Sequence, residues 1–345
     1  MTPRPPAAAL VEGEVMPRSP ADAPLFRGSW DAAALMLQFP PAFSHPNKVL
    51  VQAIACPPGS VARGTVTASR WAAMALPETV PPGVPRLLEA TGYFSYDPPA
   101  AGTIDWHQNF ADPSLFGFYA GGLYAQDEMQ VTEHPALASV VAALRAAGVP
   151  PRTEEGGRPT PVLVAGVERR VTVDTEPGLE KGRIEGLYGN RFARAAPEVI
   201  RSATRRIDPP TVSNIVAIAA PSGGRGAYSR ADIAGTLTTA FSGYRAAVVE
   251  SEALAPGARV VMHTGFWGCG AFGGDRVLMT VLQALAARLA GMDTLVMHLG
   301  DATGARSVAE ARRVLGAVVL AGAPVAEVIE ALVARRFLWG VSDGN

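Results

Sequence analysis

From residue 214 onward the chain alternates between two hydrophobic periods, and this constrains its fold more than any other feature. Asn214-Ile-Val-Ala-Ile-Ala-Ala is a continuous apolar run of strand length, followed by a glycine loop at Ser222-Gly-Gly-Arg-Gly. The stretch from Arg230 to Tyr244 has helical spacing, and Ala258-Arg-Val-Val-Met-His is again a strand. Arg276 to Ala290 is a strong helix, with Leu278, Val281, Leu282, Leu285 and Leu289 on one face. Asp293-Thr-Leu-Val-Met-His-Leu is a further strand, and Val308 to Arg336 is mostly helical. Buried strands alternating with amphipathic helices predict an α/β fold, a sheet covered by helices.

The upstream half is less regular. Pro135 to Arg145 places Leu137, Val140, Val141 and Leu144 on one helical face, ended by Gly148-Val-Pro-Pro. Pro161-Val-Leu-Val-Ala-Gly and Arg170-Val-Thr-Val are strand candidates, and the polar 152–161 stretch is a loop. Residues 93–118 read as β-like or irregular. Trp30, Ala34, Leu35 and Leu37, then Trp71, Met74 and Leu76, recur near helical spacing between prolines. The expected organisation is a disordered tail over 1–24, a helical lobe over 25–100 and a catalytic core over 101–345. The tail is rich in Pro and Ala and lacks the basic start and apolar run of a signal peptide. No run of 18 apolar residues follows. A cytoplasmic protein is the expectation.

Composition narrows the chemistry. A net charge of −1 argues against a protein that reads nucleic-acid phosphates by bulk charge, though a local anion site remains compatible. The five histidines show no HxxH or HExxH spacing and there is no CxxC, so neither a protein-built zinc site nor another cofactor is expected. Cys56 and Cys269 could form one disulfide, without the look of a stapled scaffold. Residues 174–206 carry Arg183, Arg191, Arg194, Arg201, Arg205 and Arg206 around Tyr188 and Phe192. They read as a solvated helix face or as an arm on a substrate phosphate.

Thr264-Gly-Phe-Trp-Gly-Cys-Gly-Ala-Phe-Gly-Gly-Asp joins the strand at 258 to the helix at 276, with five glycines in twelve residues. Glycines let backbone amides approach a ligand closely, and the helix N-terminus adds partial positive charge, an arrangement suited to a diphosphate. The spacing is neither GxxxxGK[ST] nor GxGxxG. Asp275 fits equally well as the N-cap of the following helix.

The order of residues in this loop closely resembles the TGNWGCGAFGGD segment of poly(ADP-ribose) glycohydrolases. The resemblance implies a macrodomain-like mixed β-sheet flanked by helices, with an N-terminal helical lobe. It also implies that Phe266, Gly268, Cys269, Gly270, Ala271 and Phe272 bind substrate, with Phe272 positioning a ribose. Phe266 stands where the family usually has asparagine. Leu237-Thr-Thr-Ala-Phe-Ser-Gly-Tyr is similar to the family's LNKAYCGF segment, with core packing the favoured role for Phe241. The family's substrate-contacting tyrosine loop has no convincing counterpart between Val167 and Tyr188.

Upstream, Gln126-Asp-Glu-Met resembles the family's QEE motif and Asn109-Phe-Ala-Asp its DFAN. The resemblance makes Glu128 the catalytic acid and Asp127 its neighbouring carboxylate, with Asn109, Asp112, Gly117 and Gln126 on the substrate side. Such chemistry is sound: one carboxylic acid protonates a leaving oxygen and, as carboxylate, activates water. A second carboxylate raises the first one's pKa or holds ribose hydroxyls. Alternatively, Asp127 and Glu128 merely open a helix. Two departures stand out. Only the middle glycine of the family's triplet survives, in Phe116-Gly117-Phe118, while Gly121-Gly122 lies nearer the acids. The acid and amide of DFAN are swapped. The implied activity is an ADP-ribosyl glycohydrolase acting on poly- or mono-ADP-ribose, arginine-linked included. The implied partner is ADP-ribose or ADP-ribosylated protein, with no membrane. The alternatives are a non-catalytic ADP-ribose reader and an enzyme on a free nucleotide sugar.

Overall fold

The computed structural model describes residues 23–342 and 344, so the expected tail lies outside them except for its last two positions. In chain order the elements begin β1 (Phe26–Asp31), α1 (Ala32–Gln38), α2 (Pro46–Ala55), β2 (Thr65–Arg70), β3 (Arg86–Ala90) and β4 (Thr103–Ala111). Next come α3 (Gln126–Glu133), α4 (Ala136–Ala146), the short pair β5 (Glu154–Glu155) and β6 (Arg158–Pro159), and β7 (Val162–Val173). Then follow α5 (Arg191–Arg194), α6 (Pro197–Ala203), β8 (Thr204–Ala219) and α7 (Arg230–Leu254). The chain closes with β9 (Arg259–Thr264), α8 (Arg276–Ala290), β10 (Thr294–His298), α9 (Gly304–Val318) and α10 (Val325–Ala334).

Eight strands form one mixed sheet in the order β1-β2-β7-β8-β4-β9-β10-β3. The first four pair antiparallel, whereas β8, β4, β9, β10 and β3 run parallel. The fold is thus an α/β mixed sheet flanked by helices, as the strand–helix alternation predicts. The helical lobe expected over 25–100 needs correcting. Helices α1 and α2 are there, but β1, β2 and β3 from the same stretch belong to the main sheet. Trp30 lies in β1, and Trp71 follows β2, its N–H donating to the Pro161 carbonyl. Three apolar residues before Pro77 are too few to hold a helix, and residues 71–76 form neither helix nor strand. The β-branched run Thr65-Val-Thr favours the strand before them.

Central strands are buried on both faces, which explains their unbroken apolar runs. Val216 and Ile218 of β8 pack with Leu237, Tyr244 and Leu282 on one side. Ile215 and Ala217 pack with Leu137, Val140 and Leu144 on the other. The two strand candidates near 161 and 170 are one strand, β7, irregular at Gly166. Gly166 has φ +80°, and a Cβ there would lie 2.2 Å from the Thr65 carbonyl oxygen.

All five parallel strands end at the same edge, and the loops leaving them converge there. In α/β sheets this carboxyl edge is where ligands bind. Helix α3 is fixed beside it by a buried ion pair. Glu133 accepts from Arg169 Nε at 2.7 Å and from the Val173 N–H at 3.3 Å. The Arg169 guanidinium also lies 4.3 Å from the Tyr96 ring centroid and donates to the Ser95 carbonyl. Removing one member of such a pair leaves an uncompensated buried charge. Glu133→Ala is therefore expected to destabilise the fold by about 3–5 kcal/mol, measured by denaturant unfolding; a loss under about 1 kcal/mol would show that α3 is held otherwise.

Candidate active site

At the carboxyl edge lies a cavity of about 670 Å³. Its wall is drawn from every loop that leaves a parallel strand: Tyr93 after β3, Asp112 after β4, Ala220 after β8, Gly265–Phe272 after β9 and Leu299–Asp301 after β10. The N-terminus of α3 supplies Gln126, Asp127 and Glu128 from the opposite side. The acidic motif and the glycine loop, more than 130 residues apart in sequence, thus face one space.

Gln126 seats α3 on the sheet. Its Oε1 accepts from the Phe110 N–H at 2.7 Å, and its Nε2 donates to the Gln108 carbonyl at 3.0 Å. These β4 groups lie just beyond His107, where the pairing with β9 ends. The side-chain amide continues the ladder that the neighbouring strand has left, satisfying backbone groups that would otherwise be stranded. Asn109, fully buried, donates to Asp127 Oδ1 at 3.0 Å and to Gln130 Oε1 at 2.9 Å. An aspartate there would set two carboxylates against each other, so the amide of the swapped pair has a physical reason.

Both acids are buried, Asp127 to 6% and Glu128 to 2% exposure. Glu128 Oε2 accepts the Ala125 N–H at 3.1 Å, so the helix-opening role weighed from sequence is real. Burial pushes the Glu128 carboxyl above its ordinary range, opposed by the Lys48 ammonium. Burial pushes Asp127 well above its range too, helped by the Glu128 charge and opposed by the Asn109 hydrogen bond. Two adjacent carboxyls in low dielectric favour a state in which at least one holds its proton.

The glycine loop is braced from behind. The Thr264 hydroxyl donates to Gln283 Oε1 at 2.6 Å, and Gln283 Nε2 donates to the Gly265 carbonyl at 3.1 Å. Trp267 is fully buried, donating its Nε1–H to the Ile218 carbonyl. Gly268 has φ +73°, and a Cβ there would meet the Ala220 Cβ at 2.6 Å. Asp275 caps α8, accepting from the Leu278 N–H at 2.8 Å. The Gly340 N–H reaches the Gly273 carbonyl at 2.7 Å, so the C-terminal segment straps the loop. Burial raises the Cys269 thiol pKa, keeping the thiol neutral, and both cysteines are free.

Of the sequence-derived residues, Asp112, Gln126, Asp127, Glu128, Phe266, Gly268, Cys269, Gly270, Ala271 and Phe272 line the cavity. Asn109 and Gly117 do not, which corrects their expected contact role. Asn109 stands behind Asp127, and Gly117 closes a turn onto the Ser114 carbonyl. None of the six arginines of 174–206 lines it either. Instead Arg183 pairs with Asp174, and Asp174, Thr175, Glu176 and Tyr188 form that wall.

The sequence reading missed a second, aromatic wall. Tyr93 and Tyr188 are nearly parallel, with ring centroids 6.5 Å apart and 7° between planes. The Arg276 guanidinium lies 4.6 Å from the Phe266 ring and grips Asp301 with two hydrogen bonds of 3.1 and 2.8 Å. Aromatic residues near 93 carried no periodic signal. Arg276, directly after the capping Asp275, was the one available cue. Among the described residues no cluster suited to a metal ion occurs.

A macrodomain-like sheet with a glycine-rich loop at its carboxyl edge defines the class, and comparison with known families agrees. Residues 187–306 match the family described as poly(ADP-ribose) glycohydrolase (PARG), macro domain fold. The matched stretch starts at Leu187, beside Tyr188 of the cavity wall, and takes in β8, α7, β9, the glycine loop, α8 and β10. Among solved structures it is similar to the poly(ADP-ribose) glycohydrolase of Thermomonospora curvata, at 15% identity and a TM-score of 0.41, covering 78% of this chain and 100% of that one. A structure of the Thermomonospora curvata glycohydrolase bound to the inhibitor ADP-HPD gives 15% identity, a TM-score of 0.43 and the same coverage. The Deinococcus radiodurans enzyme in complex with ADP-ribose gives 13% identity, a TM-score of 0.38 and coverage of 69% and 87%.

Burial of the Asp127 carboxyl also ties it to the stability of the fold. A carboxyl whose folded pKa exceeds its unfolded value, near 3.8, favours folding below that value and loses this contribution as pH rises through the folded pKa. Asp127→Asn stays neutral and keeps an oxygen for Asn109. At pH 7 this variant is expected to unfold at a higher denaturant concentration than the wild type, with the gap closing below about pH 4. A variant less stable at pH 7 would contradict the assignment.

Proposed function

We propose that this protein is an ADP-ribosyl glycohydrolase that cleaves the glycosidic bond of poly- or mono-ADP-ribose on proteins. The observation that carries the reading is the single cavity into which Glu128 and the 265–272 loop both open. The match of residues 187–306 to the glycohydrolase family supports it.

In this reading the amides of Gly265–Phe272 and the N-terminus of α8 receive the diphosphate. Tyr93 and Tyr188, which line the same cavity, offer flat apolar surface to the base. Phe272 packs against the distal ribose, and its anomeric carbon is directed to the acids. Protonated Glu128 gives its proton to the leaving oxygen or nitrogen as the C1″ bond breaks. The resulting carboxylate takes a proton from water while that water's oxygen bonds to the oxocarbenium-like sugar, regenerating the acid. Asp127, held by Asn109, accepts from a ribose hydroxyl. Burial suits the mechanism, since it keeps Glu128 protonated to higher pH than an ordinary carboxyl.

We read the preferred linkage from the rebuilt rim. Phe118 is exposed at the cavity mouth, and Phe266, gripped by Arg276, occupies the family's asparagine position. In this reading Phe118, on the segment that leads into α3, narrows the room beside the reacting carbon. This favours terminal or mono-ADP-ribose, arginine-linked included, over a continuing polymer.

Glu128→Gln is expected to lower release of ADP-ribose by roughly 10²- to 10⁴-fold while calorimetry shows unchanged ADP-ribose affinity. Wild-type turnover by the variant would sink the catalytic assignment. A wild-type protein that binds ADP-ribose yet releases none from polymer, or from mono-ADP-ribose on Arg, Glu or Ser, would instead be a reader. In that panel the arginine conjugate is expected to be cleaved faster than polymer.

A further inference from the structure

Lys48 is wholly buried, an unusual state for a lysine, and the resemblance to known motifs does not touch it. It projects from α2, which Asn47 anchors by donating to the Phe192 and Ala195 carbonyls at 2.8 and 2.9 Å. Its Nζ donates to the Tyr119 carbonyl at 2.6 Å and lies 5.9 Å from the Tyr124 ring centroid. Both tyrosines belong to the segment between β4 and α3, where the family's glycine triplet has been replaced.

One carbonyl and one ring cannot balance a buried ammonium; a nearby negative charge must. Helix α2 packs against α3, and the carboxylates whose charge reaches Lys48 are those of its first turn, Glu128 and Asp127. Asp112, in the same segment, adds to the field on both acids. Among the described residues the other charges on the elements packed on α2 are paired or face solvent, Arg191 and Arg194 of α5 among them. Glu133 with Arg169, and Glu168 with Arg170, are paired among themselves. Glu198 and Arg201 of α6, and Arg205 and Arg206 of β8, face solvent. His45 caps α2 through Nδ1, accepting from the Asn47 N–H.

We propose that Lys48 is the positioning residue of the acid pair: anchored on the Tyr119 carbonyl, its ammonium holds the 112–125 segment against α2, beside α3, and balances the Glu128 carboxylate whenever the proton leaves it. The inference rests on the glycohydrolase reading for its catalytic meaning. In the cycle Glu128 gives its proton to the leaving group, becomes an anion inside a dry wall, and regains a proton from the attacking water. Lys48 keeps its own protons throughout and makes the anionic half of that cycle accessible. The segment before residue 187 thus sets the chemistry as much as the glycine loop does.

The test compares Lys48→Met and Lys48→Arg in the full chain. Lys48→Met is expected to lower kcat by about 10- to 100-fold with KM little changed. The alkaline limb of its kcat profile moves up by about one pH unit, because Glu128 without the cation keeps its proton longer. Lys48→Arg keeps the charge and restores most of both. Superimposable pH profiles for Lys48→Met and wild type would overturn the proposal.

A second measurement needs neither turnover nor a lysine variant. Burial brings the Lys48 pKa down to about 8, opposed by the two carboxylates, so its ¹³Cε signal titrates in an accessible range. Glu128→Gln is expected to move that midpoint lower, by linkage. An unmoved midpoint overturns the proposal. An inert wild-type protein with a moved midpoint counts against the glycohydrolase reading alone.

Discussion

Two hydrogen bonds between the Gln126 side chain and the β4 backbone, one accepted and one donated, carry the rest of the site. Beyond His107 the central strand has lost its β9 partner, and the bare N–H of Phe110 and carbonyl of Gln108 lie in the interior. Leaving both unsatisfied would cost about 1–3 kcal/mol each. A glutamine at the first turn of α3 meets both groups at once, and this fixes the helix N-terminus to the sheet edge. The next two residues, Asp127 and Glu128, then have their direction set by the helix. Where β9 departs, its chain becomes the glycine loop. The same strand divergence therefore creates the cavity and seats the acids.

Around this clamp the structure gathers charge that burial disfavours. Asp127, Glu128 and Lys48 form one group, and Glu133 with Arg169 another. Neither group is an economical way to stabilise a fold. Preorganised charges in a low-dielectric site are, however, what glycosidic cleavage needs, since they act without reorganising at the moment of reaction. The second group holds the C-terminal end of α3, and Gln126 with Asn109 hold the first turn. The acids are thus fixed at both ends of a helix only two turns long.

The sequence made the parallel half of the sheet legible. Continuous apolar strands and the Leu278–Leu289 face carry strong periodic signals, and the loop between β9 and α8 has a distinctive residue order. The N-terminal strands were not legible. Strand β1 runs straight into α1, so Trp30 reads with the true helical spacing of Ala34, Leu35 and Leu37. The spacing of Trp71, Met74 and Leu76 after β2 mimics a helix. Asn109 and Gly117 show the limit of motif reasoning. A motif marks residues that matter without saying whether they touch a ligand or support one that does. Tyr93, Tyr188, Arg276 and Lys48 are joined to the site only by tertiary packing, and no local pattern announces such residues.

The central claim is that one ligand spans the glycine loop and the acid pair. A crystal structure of the Glu128→Gln protein with ADP-ribose tests it most directly. The expected result is a diphosphate on the amides of residues 265–272, with the anomeric carbon of the distal ribose beside residue 128. A ligand bound away from the carboxyl edge, or one seated on the loop with its distal ribose turned from α3, would contradict it.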